Sequence, residues 1–435
     1  MMRELDPAER FIWLLDCISC ANFVTIAELK GDPISEEVLR KGLDRLQAKH
    51  PLLSARLVED EDGTVAFYRE EGARIPLDVE QRSDGEWHHA IEGEFNAKFD
   101  DTSRPMMRCH LQRLPGRSVL SVTFHHAIGD ARSGVELLKQ LLRFCLRGGE
   151  NVEPNELPPP VHSLFPDKYR WSDHPDKAEN LARQMKEDSL RYGMPAELPF
   201  LADAVPDRKP RLESVRLDAS QGRALQERCR SEDTTVHGAI CAAHLIATNR
   251  LFDAPEARTL YLMCPVDMRP HLTQDMGEQL SYCTTFLRST YRVEDEPDFW
   301  SLAREIGADL KHRMQRGDGH LMYASLPLDQ IGSTGPAFEA FAASMAQLPA
   351  GSNVSNVGRI QPMEDCPEVE AISFALCSLP RHMASLNVTS YRDQLIVNLT
   401  FDAAKLAPEH AERLANDLRQ LLEEAATLRE ANTDA

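Results

Sequence analysis

The chain has 435 residues, 42% hydrophobic and 27% charged, with a formal net charge of −20 at pH 7. That length allows two or three domains of ordinary globular composition, and so acidic a surface repels nucleic acid. No apolar run approaches the ~20 residues of a membrane span, and the polar start Met1-Met2-Arg3-Glu4-Leu5-Asp6 lacks a secretory signal pattern, so a cytoplasmic protein is expected.

Phe11 to Leu15 form an apolar run that leads into Cys17 and Cys20, the C-x-x-C of a chain with ten cysteines. No second pair stands at zinc-site spacing. Buried free thiols are therefore expected, and no metal. Residues 35–49 put Leu39, Leu43 and Leu46 on one helical face, with Ser35 as cap and Glu36-Glu37 at the positive end of the dipole. His50-Pro51 ends that helix. Strands are expected over 52–58 and, after Asp62-Gly63, over 64–69. The β-branched run 118–124 reads as a buried strand, and a helix over 133–147 carries Val135, Leu138, Leu142 and Cys145 at steps of three and four.

Five prolines between Pro154 and Pro166 mark a crossover rather than an element. A charged helix over 174–192 and a polar stretch with Pro206 and Pro210 follow. The lobe boundary falls between 151 and 210, giving lobes of about 1–175 and 176–435. In the second lobe a strand is expected over 212–218, a small-residue helix over 235–250, and a core strand over 260–266. A hairpin is expected from 385–391 and 395–401 around Arg392-Asp393-Gln394, with Leu395, Val397, Leu399 and Phe401 on one face. The last helix starts near Pro408, with a buried stripe of Leu414, Leu418, Leu421, Ala425 and Leu428. The fold class is mixed α/β.

Chemistry concentrates in His125-His126-Ala127-Ile128-Gly129-Asp130. The segment links a strand end to a helix start, where α/β proteins place ligands. A histidine there can act as a base near neutral pH. Acyl transfer from a thioester needs little else, because the thioester is already activated and only the nucleophile's proton must be removed. The plain alternatives are a capping role for Asp130 and a hydrogen-bonded core role for His125. His88-His89-Ala90-Ile91 repeats the first four residues but has Gly93 at the sixth position and acidic neighbours. That copy reads as a solvated helix face.

The segment resembles the H-H-x-x-x-D motif of the condensation-type acyltransferase superfamily. This group includes nonribosomal peptide condensation domains, mycobacterial polyketide-associated acyltransferases and alcohol acetyltransferases, and more distantly chloramphenicol acetyltransferase and the plant BAHD enzymes. The likeness extends to His50-Pro51-Leu52-Leu53, the helix Thr235 to Ala247, Pro265-Val266-Asp267-Met268-Arg269-Pro270, and Ser355-Asn356-Val357-Gly358-Arg359, in the expected order. Two departures stand out. Ala131 occupies the usual glycine position, and no D-F-G-W-G segment is present, which argues against the BAHD branch.

The resemblance implies two chloramphenicol-acetyltransferase-like lobes forming a pseudo-dimer around a central tunnel, with donor and acceptor entering from opposite faces. It implies His126 as general base, His125 as support, and Asp130 as an architectural residue paired with Arg269. Ser355 and Asn356 are candidates for substrate or oxyanion contact, although loop hydrogen bonding explains them equally well. No permanently bound cofactor is implied. The co-substrate would be acyl-CoA or a phosphopantetheinyl acyl carrier protein, the acceptor an alcohol or amine, and the protein a monomer. The expected reaction is direct attack of a hydroxyl on the thioester. The alternatives are a free-standing condensation enzyme using carrier-bound donors and a non-catalytic acyl-ligand or carrier-protein binder.

Overall fold

The computed structural model describes residues 1–427 apart from 62, 84, 100–103, 149–151, 203–206, 325–327, 329–330 and 380. The expected turn residue Asp62, the connector residue Pro206 and the last stripe residue Leu428 therefore lie outside the described residues. Two large sheets dominate. One has five strands in the order Val369–Leu376, Asn22–Lys30, Arg117–His125, Met107–Leu114, Leu77–Gln81. The other has six, in the order Thr284–Val293, Arg258–Asp267, Gly351–Ile360, His382–Tyr391, Gln394–Asp402, Pro210–Leu217. A third, three-stranded sheet holds Arg3–Glu4, Val65–Arg69 and Ala55–Glu59.

Helices cover these sheets for the reasons the sequence suggests. Glu36–Lys49 is capped by the Ser35 hydroxyl, which accepts from Val38 N, and buries Leu39, Leu43 and Leu46 completely. Its chain continues through a short 3-10 turn, Pro51–Ser54, rather than the expected strand; the strand begins at Ala55. Leu52 and Leu53 are buried together by that turn, so two adjacent apolar residues here signal a corner and not a strand. The histidine-loop helix spans Ala131–Arg147, two residues earlier than expected, because Asp130 caps it.

The second-lobe core forms under Val236–Asn249, whose small residues are buried on nearly every side, and under Pro408–Ala426. The charged helix is Pro175–Ser189, with Leu181 its buried residue. In the C-terminal hairpin, Arg392 and Asp393 alone make the turn, both at positive φ (49° and 64°), and Gln394 already pairs with Tyr391. Two consecutive left-handed residues match the right-handed strand twist of a two-residue hairpin.

The strand Val369–Leu376 crosses from the C-terminal half of the chain into the first sheet. It pairs antiparallel with Asn22–Lys30, Phe374 opposite Thr25. The two halves are thus stitched together by a full edge strand, and a cut near residue 175 does not separate the sheets. Among the described residues no helix is long and apolar enough to cross a membrane.

Candidate active site

The histidine loop is fixed at each residue. Arg117–His125 runs antiparallel between Asn22–Lys30 and Met107–Leu114. At its end His126 N donates to Ala21 O (3.1 Å), and one 3-10 turn, His126–Ile128, leads to Gly129. Gly129 is fully extended (φ −179°), so its backbone angles do not require glycine. Space does: a Cβ there would stand 2.5 Å from Leu280 Cδ1 and 3.0 Å from Ser133 Oγ. Asp130 then caps the helix, accepting from Ser133 N at 2.9 Å.

The two histidines face different surroundings. His125 is buried; its Nδ1 accepts from Ala127 N (3.1 Å), and its Nε2 lies 3.5 Å from Asp16 Oδ2. Burial pushes the Asp16 carboxyl up, but His125, the Ala21 N–H and Lys98 together outweigh it and hold the group below its ordinary value. His126 lines a cavity of about 190 Å³. Its Nδ1 lies 2.7 Å from the Gly129 carbonyl oxygen. A carbonyl only accepts, so Nδ1 carries the proton and Nε2 keeps its lone pair. Burial lowers the basicity of the ring, and the Gly129 bond only partly offsets this. The imidazole is therefore neutral at neutral pH. The rings of Phe23 and Tyr282, at 4.9 and 5.2 Å, fix its orientation.

Asp130 both caps and pairs. Its Oδ2 accepts from Arg269 Nη1 (2.9 Å), Cys283 N (2.9 Å) and Thr284 Oγ1 (3.2 Å); its Oδ1 accepts from Arg269 Nη2 (3.1 Å) and Ser133 N. Burial pushes the carboxyl up, but Arg269 and these donors bring it down to about 2. Arg269 also donates to Asp267 Oδ1 (2.9 Å) and Ser281 O (3.3 Å), and it stays charged. The capping and pairing readings of Asp130 thus hold together.

Ser355 and Asn356, on Gly351–Ile360, line the same cavity as His126. Asn356 Oδ1 accepts from Gly358 N (2.8 Å), the loop role foreseen for it; Ser355 has no such bond among the described residues. Ala131, in place of the usual glycine, is the first helical residue and also lines the cavity.

The repeat at His88-His89 sits on a separate short helix, His88–Glu94, and does not line the cavity. His89 is exposed and pairs with Glu92 at 3.0 Å. That face is less solvated than expected: Glu92 is buried and accepts from Leu212 N, and His88 packs on Trp87. Cys17 and Cys20 are free, and the buried Cys377 thiol donates to Cys20 O.

Several cavity residues escaped sequence reasoning. Phe11, Ile12, Leu15 and Ile18 come from the N-terminal helix Pro7–Ile18, and Thr284, Phe286 and Arg288 from one face of a strand. The i, i+2 alternation of the strand residues was the available signal. Tyr282, against His126, had none.

Two lobes joined by a strand, with a histidine loop pinned at their junction, are the arrangement that the resemblance to condensation-type acyltransferases implies. Residues 206–402 match the family described as phthiocerol/phthiodiolone dimycocerosyl transferase C-terminus. Over 98% of both chains the fold is similar to polyketide synthase associated protein 5 from Mycobacterium tuberculosis (TM-score 0.66, 18% identity). It is also similar to TRI3 trichothecene 15-O-acetyltransferase from Fusarium sporotrichioides over 98% of this chain and 95% of that one (TM-score 0.71, 13% identity). Nonribosomal peptide synthetase kk1B of Curvularia clavata is 26% identical over 316 residues, 70% of this chain, and this chain spans 2% of that protein's length.

Proposed function

We propose that the protein is an O-acyltransferase that moves an acyl group from a thioester, of CoA or of a phosphopantetheinyl carrier protein, to a hydroxyl. One observation carries this reading: the Gly129 carbonyl, 2.7 Å from His126 Nδ1, leaves Nε2 unprotonated in the cavity. In the reaction Nε2 takes the hydroxyl proton as its oxygen attacks the thioester carbonyl. The tetrahedral oxyanion collapses, the C–S bond breaks, and the imidazolium returns the proton to the departing thiolate. An ester and a free thiol result. Asp130 and Arg269 hold the loop and touch no reacting atom. Ser355, on the cavity wall, is the candidate donor to the oxyanion.

The cavity wall is mostly aliphatic and aromatic (Phe11, Ile12, Leu15, Met345, Leu348), which suits an apolar acyl chain or acceptor. The match to a nonribosomal peptide synthetase over 70% of the chain favours, as the second reading, condensation of carrier-bound donors with an amine or alcohol. Release of free thiol from a panel of acyl-CoAs with candidate alcohols tests the proposal. Turnover with acyl-carrier proteins alone would favour the second reading. No thiol release from either donor class would favour a binding role.

A further inference from the structure

We propose that His237, Cys241 and Cys264 form a site for one thiophilic cation, zinc(II), behind the strand that walls the active cavity. His237 and Cys241 lie one turn apart on the helix Val236–Asn249, so both face the same way. Cys264 comes from the neighbouring strand Arg258–Asp267, where Met263 and Pro265 on the opposite face line the cavity. Cys241 Sγ stands 3.6 Å from His237 Nε2 and 3.9 Å from Cys264 Sγ, and the three atoms lie within 4.8 Å of one another. Zinc bonds of about 2.3 Å to sulfur and about 2.0–2.1 Å to nitrogen, set tetrahedrally, require ligand separations of about 3.6 Å for N–S and about 3.8 Å for S–S.

Two of the three separations on the protein thus match the ion, and the third, within 4.8 Å, closes onto it with a small side-chain shift. Both cysteines are fully buried among aliphatic side chains, and His237 is half-buried at the start of its helix. Among the described residues the ring's other nitrogen has no partner that would fix Nε2 as a proton donor. Binding converts both thiols to thiolates and releases two protons. The resulting unit, one divalent ion with two thiolates and a neutral imidazole, carries no net charge and so suits an apolar core. Three protein ligands leave a fourth position for water. The ion would clamp the helix to the strand that ends at Asp267, next to Arg269, and so stiffen the anchor of the histidine loop.

The test titrates the chelator-stripped, reduced protein with zinc against a chromophoric competitor. One equivalent per chain is expected, with a rise in thermal midpoint. A cobalt(II) substitute should show a thiolate charge-transfer band. Cys264→Ala and His237→Ala should each lose the stoichiometric binding while circular dichroism stays unchanged, and a Cys17→Ser/Cys20→Ser double variant should keep it. His237, at the helix rim, serves if Cys264→Ala does not fold. Binding of less than one equivalent, or one equivalent that survives either substitution, would overturn the site and leave a hydrogen-bonded thiol–imidazole cluster.

Discussion

The Asp130 carboxylate meets the Arg269 guanidinium fork to fork, at 2.9 and 3.1 Å, and the two residues are 139 positions apart in the chain. Two parallel charge-assisted bonds fix angle as well as distance. The pair ties the histidine loop to the strand end at Asp267 and the turn that follows it. Asp130 is buried, while the Arg269 side chain keeps 15% of its exposure.

Removing one partner leaves the other charge poorly compensated. Asp130→Ala should destabilise the fold by about 3–5 kcal/mol, the range for a broken buried pair. Arg269→Ala should cost less, because Asp130 keeps the donors Cys283 N, Thr284 Oγ1, Ser133 N and Ser133 Oγ. A double-mutant cycle in unfolding free energy should show strong coupling. Additive effects would mean that capping alone fixes Asp130.

The same pair sets an acid dependence. The folded-state value of about 2 for Asp130 lies below the ordinary carboxylate value of about 3.9. Its stabilisation is therefore complete above about pH 4 and is lost as pH falls toward 2. Asp130→Asn should flatten the stability curve in that window. An unchanged curve would assign the acid sensitivity to other carboxylates.

The pH dependence of catalysis should lie on the acid side. Burial holds His126 below its ordinary value, so the imidazole proposed as base is neutral at pH 7. The profile of kcat/KM should be flat near pH 7, with an acid limb lying below about 6.5. A limb centred above neutrality would point to a different base.

Gly129 is required for room. Gly129→Ala drives a methyl into Leu280 Cδ1 and should shift the carbonyl that holds His126. Overpacking of this kind costs about 1–3 kcal/mol, and turnover should fall with it. Leu280→Ala in the same chain should restore part of the lost activity. Failure of that rescue would show that the loop responds to the substitution through its backbone and not through the clash.

Much of this was legible in the sequence because it is local. Ser35, His50-Pro51 and the leucine stripe fix their helix by neighbour chemistry alone. The alternation of Leu395, Val397, Leu399 and Phe401 similarly marks a strand. The partner of Asp130 was reachable only through the family resemblance, since spacing cannot show which of many arginines returns to a loop 139 positions away. The crossing strand Val369–Leu376 and the contact of Tyr282 with His126 depend on pairing between distant segments and left no periodic trace. Leu52 and Leu53 misled in a different way: burial in a 3-10 corner and burial in a strand present the same two residues.

The base role proposed for His126 can be read from one comparison of variants. With a saturating acceptor and the best acyl thioester found, thiol release by His126→Ala should fall roughly 10²- to 10⁴-fold. Its thermal midpoint should stay near that of the parent, and the exposed His89→Ala variant should keep full activity. A loss of less than about tenfold for His126→Ala, with its fold intact, would contradict the assignment of general base catalysis to this residue.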